Sequence, residues 1–188
     1  MSHIVTIEVE VRDLEAIRKT CQRMKLEEPC HGKATVFRKK VKGTLVRFPS
    51  WSFPIVIDLQ AGKIQYDNYE GNWGNQKELD DFLMFYGAEK VKLEAEKQSH
   101  SCTETILDNG QIRIQIQPNR NQLDETISVT FSSGGASQVE TIGYSGSGCS
   151  KASDSIVKAL GTRTGETRKS EYYEVTETEE EQQELESQ

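Results

Sequence analysis

No run in this chain approaches the roughly 18 consecutive apolar residues that a membrane helix requires. Hydrophobic residues make up 35% of it and aromatics 7%, which leaves material for small cores and a solvated remainder. Cysteine is sparse: Cys21, Cys30, Cys102 and Cys149 stand apart with no CxxC pair. That scatter excludes the close-pair spacing of structural zinc motifs and gives no disulfide framework. The opening Met-Ser-His-Ile-Val-Thr-Ile-Glu has neither a basic head nor an apolar core, so no secretory signal is expected. Reduced thiols and a cytoplasmic setting follow as expectations. The net charge of −7 makes the chain a poor general binder of nucleic acid, whose affinity comes mainly from phosphate contacts.

What is present reads as short elements in 188 residues, enough for one ordinary domain or two small ones. Residues 4–11 alternate as a strand, with Val5, Ile7, Val9 and Val11 on one face. Asp13 is a good helix N-cap, with Glu15 in the first turn. Leu14, Ile17, Cys21 and Met24 then form a helical stripe, which makes Cys21 a core residue. Residues 34–48 read as a hairpin turning at Lys42-Gly43. Residues 53–59 and Lys63 to Tyr69 read as two strands joined by Ala61-Gly62. Lys77 to Tyr86 reads as a helix and Val91 to Glu96, by its alternation, as a strand. Asn109-Gly110 between alternating apolar runs is the clearest turn signal.

Residues 119–124 are polar and read as a linker. Beyond them Ile127, Val129 and Phe131 mark a strand, Ser132 to Ser137 a turn, and Val139 to Tyr144 a returning strand. A helix is expected from Ser150 to Leu160, with Gly161 as a left-handed cap. Residues 174–188 carry seven Glu and no Lys or Arg, which predicts a solvated, disordered tail. The expectation is an α+β fold of two small modules, 1–118 and 125–173, antiparallel sheets each packed by one or two helices, followed by the acidic tail.

Two stretches carry a resemblance. The opening Met1-Ser-His3, the Arg12-Asp13-Leu14 helix start, and the turn and strand Asp108-Asn-Gly110-Gln-Ile-Arg-Ile-Gln-Ile116 resemble an uncharacterised plastid and cyanobacterial family over roughly residues 1–118. Residues 125–173 are similar to a second small uncharacterised family, through Gly143-Tyr-Ser-Gly146-Ser-Gly-Cys149, Ala159-Leu-Gly161 and Glu171-Tyr172-Tyr173. The resemblance implies a fusion of two families found as neighbouring genes, often near an AAA+ ATPase. It implies no catalytic residues.

Several constellations compete as sites. Gly143 to Ser150 has the glycine spacing of a phosphate loop, but Cys149 replaces the lysine that would hold the phosphates. It reads first as a turn into a helix. Gly146, Gly148 and Ser150 form a possible anion-binding loop there, and Cys149, at a helix start, is a possible reactive thiol. Cys30-His31 and His100-Ser-Cys102 lack metal-site spacing. No metal and no cofactor is expected. Arg38, Lys39, Lys40 and Lys42, followed by Arg47, Phe48, Trp51 and Phe53, form a basic-aromatic patch. It suits an acidic partner, single-stranded nucleic acid or the chain's own acidic tail. Trp51, Trp73 and Tyr69, in loop-like contexts, and Tyr172 and Tyr173 join Arg38, Lys39 and Lys40 as candidate partner contacts. The leading expectation is a non-enzymatic adaptor with a protein partner, an AAA+ ATPase by resemblance. The alternatives are a thiol-dependent enzyme or switch at Cys149, and nucleic-acid binding through residues 38–53.

Overall fold

The computed structural model describes the backbone of residues 3–118, 125–144 and 148–168. The fold is α+β: among the described residues there are three α-helices and two antiparallel sheets, of six and four strands. In chain order the elements are β1 (His3–Val9), α1 (Leu14–Arg23), β2 (Cys30–Val36), β3 (Lys39–Val46), β4 (Ile55–Asp58), β5 (Lys63–Gln65), α2 (Gln76–Lys97), β6 (Ser101–Ile106), β7 (Ile112–Gln117), β8 (Thr126–Phe131), β9 (Ala136–Ile142), α3 (Gly148–Leu160) and β10 (Gly161–Arg168). The large sheet runs β10-β1-β9-β8-β7-β6 and the small one β2-β3-β4-β5.

Asp13 caps α1 as expected, accepting from the N–H of Glu15 at 2.9 Å and of Ala16 at 3.2 Å. Cys21 is buried on the inner face of α1, and burial pushes its thiol up to about 11. Arg23, in the last turn of α1, pairs with Glu89 of α2 at 3.0 Å and Glu104 of β6 at 2.5 Å, and lies over the Phe85 ring. Lys92 closes the network on the same two carboxylates.

The helix α2 runs from Gln76 to Lys97, through the stretch from Val91 to Glu96 that alternation predicts as a strand. The reason is that α2 lies between two cores. Met84, Ala88, Val91 and Ala95 pack with the large sheet, while Leu79, Phe82, Tyr86 and Leu93 pack with α1 and the small sheet. A helix apolar on both sides has no single stripe. Val91, Leu93 and Ala95 therefore alternate between cores, which imitates a period of two.

The hairpin of residues 34–48 also differs from expectation. It turns at Phe37-Arg38, not at Lys42-Gly43, which lies within β3 opposite Gly32 and Lys33. The boundary placed at 119–124 falls between β7 and β8, which pair directly, Ile112 with Phe131 through Ile116 with Ile127. The strands β8, β9 and β10 thus extend the sheet begun by β1, β6 and β7. The polar strand β10, which has no apolar alternation to reveal it, pairs along β1. Gly161 opens it with a positive φ of 152° rather than capping α3. A Cβ there would lie 2.3 Å from the Glu8 carbonyl oxygen, so only glycine lets the chain pass so near β1.

Candidate interaction surface

The two-residue turn Phe37-Arg38 joins β2 to β3 with φ of 47° and 63°. Two left-handed residues in succession make the tight turn that suits twisted strands, a place usually taken by Asn-Gly. Here it holds a phenylalanine 68% exposed and an arginine. A single turn of 3₁₀ helix, Tyr69–Gly71, lies across a groove from it. Tyr69 and Glu70 are again left-handed, at 44° and 53°. Among the described residues six non-glycine positions have positive φ, and four of them, Phe37, Arg38, Tyr69 and Glu70, line this one groove. Such conformations are each unfavourable by about 1–3 kcal/mol and cluster where a surface has a task.

The loop around Tyr69 is pinned. The Tyr69 N–H donates to Asp67, and the Trp73 N–H donates to the Asn68 carbonyl at 2.9 Å. The Tyr69 carbonyl accepts from both the backbone and the side chain of Asn72. These bonds present three rings in one cluster: Trp73 stacks with Tyr69 at 4.8 Å between centroids and meets Phe53 edge-on at 5.4 Å. All three, with Phe37, are exposed large apolar side chains. The groove between them encloses about 980 Å³. Its floor includes Val36, part of a small cluster with Leu45 and Val56 on the face of the four-stranded sheet opposite α1 and α2.

The β2–β3 hairpin is also the basic part of the molecule. Residues 30–47 contain Lys33, Arg38, Lys39, Lys40, Lys42 and Arg47 and no acid, in a chain of net charge −7. All six are exposed. Among the described residues none of them enters an ion pair, although nine other cations do. Lys33 and Lys42 stand directly opposite one another across the strands, an arrangement of like charges that weakens the pairing. Arg38 lines the groove; Lys39 and Lys40 begin β3 beside it. The groove wall also carries Asp67 and Glu70.

The structure therefore brings Arg38 and Phe53 of the expected patch together with the expected anchor Trp73, and Lys39 and Lys40 stand beside them. It sets Tyr69 beside Trp73, and adds Phe37, which sequence reasoning misses because Lys42-Gly43 points to a turn five residues later. Trp51, expected to face a partner, is buried instead. Its ring packs between Phe48 at 5.3 Å and Tyr66 at 5.7 Å, and its Nε1 donates to the Asn75 carbonyl. Cys30 and His31 lie on β2 and Cys102 on β6, in different sheets. Among the described residues no group of three or more His, Cys, Asp or Glu is placed to hold a metal ion. Cys149 and Ser150 follow Gly148 in the first turn of α3; Gly146, Tyr172 and Tyr173 lie outside the described residues. No helix among the described residues is long and apolar enough to cross a membrane.

Neither a curated protein nor a solved structure matches the chain. Residues 127–173, which take in β8 from its second residue and all of β9, α3 and β10, match the model of a protein family of unknown function, DUF2997. This part of the chain is thus similar to a family to which no activity is attached.

Proposed function

We infer that the protein is a non-enzymatic adaptor that binds a protein partner through the groove between Phe37-Arg38 and Tyr69-Trp73. The observation that supports it is four exposed aromatic side chains around one groove, held there by four left-handed residues. Large rigid rings with an arginine beside them are the composition of binding hot spots, because they cover area while losing little conformational freedom. In the adaptor reading the folded part holds one component and the acidic C-terminal segment presents itself to another. The resemblance of the two parts of the chain to families of neighbouring genes makes an AAA+ ATPase the partner to test first.

Single-stranded nucleic acid would also stack on such rings. Asp67 and Glu70 in the groove wall and the net charge of −7 favour a protein segment instead. The test is affinity purification of the tagged full chain and of its Tyr69→Ala/Trp73→Ala variant, with a single-stranded DNA column run in parallel at about physiological salt. A protein recovered by the parent chain and lost by the variant, with DNA in the flow-through, is the expected result. Equal recovery by both chains would remove the groove from the reading, and retention on DNA would favour the nucleic-acid alternative.

A further inference from the structure

Among the described residues no carboxylate pairs with any of the six exposed cations of residues 30–47. Several of the chain's carboxylates pair with other cations: Glu89 and Glu104 with Arg23 and Lys92, Asp13 with Lys90, Glu10 with Arg12, Asp81 with Lys77. Residues 171–188 carry eight Glu and no Lys or Arg. We propose that this acidic C-terminal segment docks along the basic β2–β3 hairpin of its own chain.

Three further features support that occupant. First, Lys33, Lys40 and Lys42 share one face by strand parity, and Lys39 and Arg38 continue the charge to the turn. A row of cations along an extended hairpin suits a run of carboxylates along an extended segment, Glu177 to Glu186 above all. Second, the reach suffices. Eighteen residues from Arg168 to Glu186 span up to about 60 Å when extended, whereas a folded body of this length is about 40 Å across. Third, the segment is covalently attached. Exposed ion pairs are individually weak, but a tether raises the local concentration to the millimolar range, where several weak pairs suffice. The proposal does not depend on the partner reading, since it needs no second protein.

The test is zero-length carbodiimide cross-linking of the purified full chain, followed by peptide mapping of the monomer band. The expected links join Lys33, Lys39, Lys40 or Lys42 to the Glu cluster, at least about five-fold more often than they join Lys97 or Lys158. They should disappear at about 0.5 M salt, where charges are screened beyond about 4–5 Å. Amide signals of residues 39–42 should also shift when the seven Glu from 174 to 186 are changed to Gln. Links spread evenly over surface lysines, or unmoved signals, would overturn the proposal. Links confined to a dimer band would overturn it in favour of a second copy as the occupant.

Discussion

The Tyr69 and Trp73 rings lie 4.8 Å apart, inclined by 29°, and both stay open to solvent. Trp51, close in sequence to Phe53 of the same ring cluster, is 8% exposed and packs into the core. The two tryptophans should therefore behave oppositely when truncated. Trp73→Ala loses two ring contacts at the surface, with Tyr69 and Phe53, and should lower stability by about 1–2 kcal/mol. Trp51→Ala opens a cavity and should cost about 3–5 kcal/mol. Urea unfolding of the two variants checks this; equal losses would mean that Trp73 is a core residue and not a surface anchor.

Tyr86 holds the start of α1. Its hydroxyl oxygen accepts from the backbone N–H of Arg12 at 3.0 Å and of Asp13 at 3.1 Å, across the interface between α1 and α2. Tyr86→Phe preserves the packed ring and removes only the acceptor. Two part-buried donors would then lack a partner, a loss of about 1–3 kcal/mol. The denaturant midpoint should fall with the slope unchanged.

Gly87 reverses a familiar rule. Within an exposed helix, Gly→Ala stabilises by about 1 kcal/mol. Here α2 packs so closely on the large sheet that a Cβ at position 87 would lie 2.4 Å from the ring of Phe131, which is fully buried. Overpacking should outweigh propensity, so Gly87→Ala should destabilise by about 1–3 kcal/mol. A stabilised variant would show that α2 and β8 have room to separate.

Acid should weaken the fold through Asp13 and Glu104. Burial alone would raise both carboxyls, but Lys90 and the Ala16 and Glu15 N–H groups at Asp13, and Arg23 and Lys92 at Glu104, outweigh it and hold both below the usual range. A depressed folded pKa means that the unfolded chain binds protons first. The stabilisation is therefore present above about pH 4.5 and is lost as pH falls through the lower folded values. The urea midpoint should drop between pH 5 and pH 3, and Glu104→Gln should reduce that drop while lowering the midpoint at pH 7.

The chain announces its local elements better than their partnerships. Asp13, the Asn109-Gly110 turn and the strands around Val129 and Val139 are legible because each rests on neighbours in sequence. Where one residue serves two cores, as along Val91, Leu93 and Ala95, periodicity misleads. The strand β10 is all but invisible because an edge strand with polar faces needs no apolar alternation. The groove lay half hidden for a similar reason. The basic residues and Trp73 stand out by type, but the turn at Phe37-Arg38 uses neither Asn nor Gly, so nothing local marks it.

The most direct measurement is quantitative capture by three full-length chains side by side: the parent, Tyr69→Ala/Trp73→Ala, and Ile106→Ala, which removes an exposed apolar side chain from β6 in the other sheet. The groove account predicts one set of proteins retained equally by the parent and Ile106→Ala, and at least about ten-fold less by the double variant, the loss of a binding hot spot. Equal retention by all three chains would contradict it.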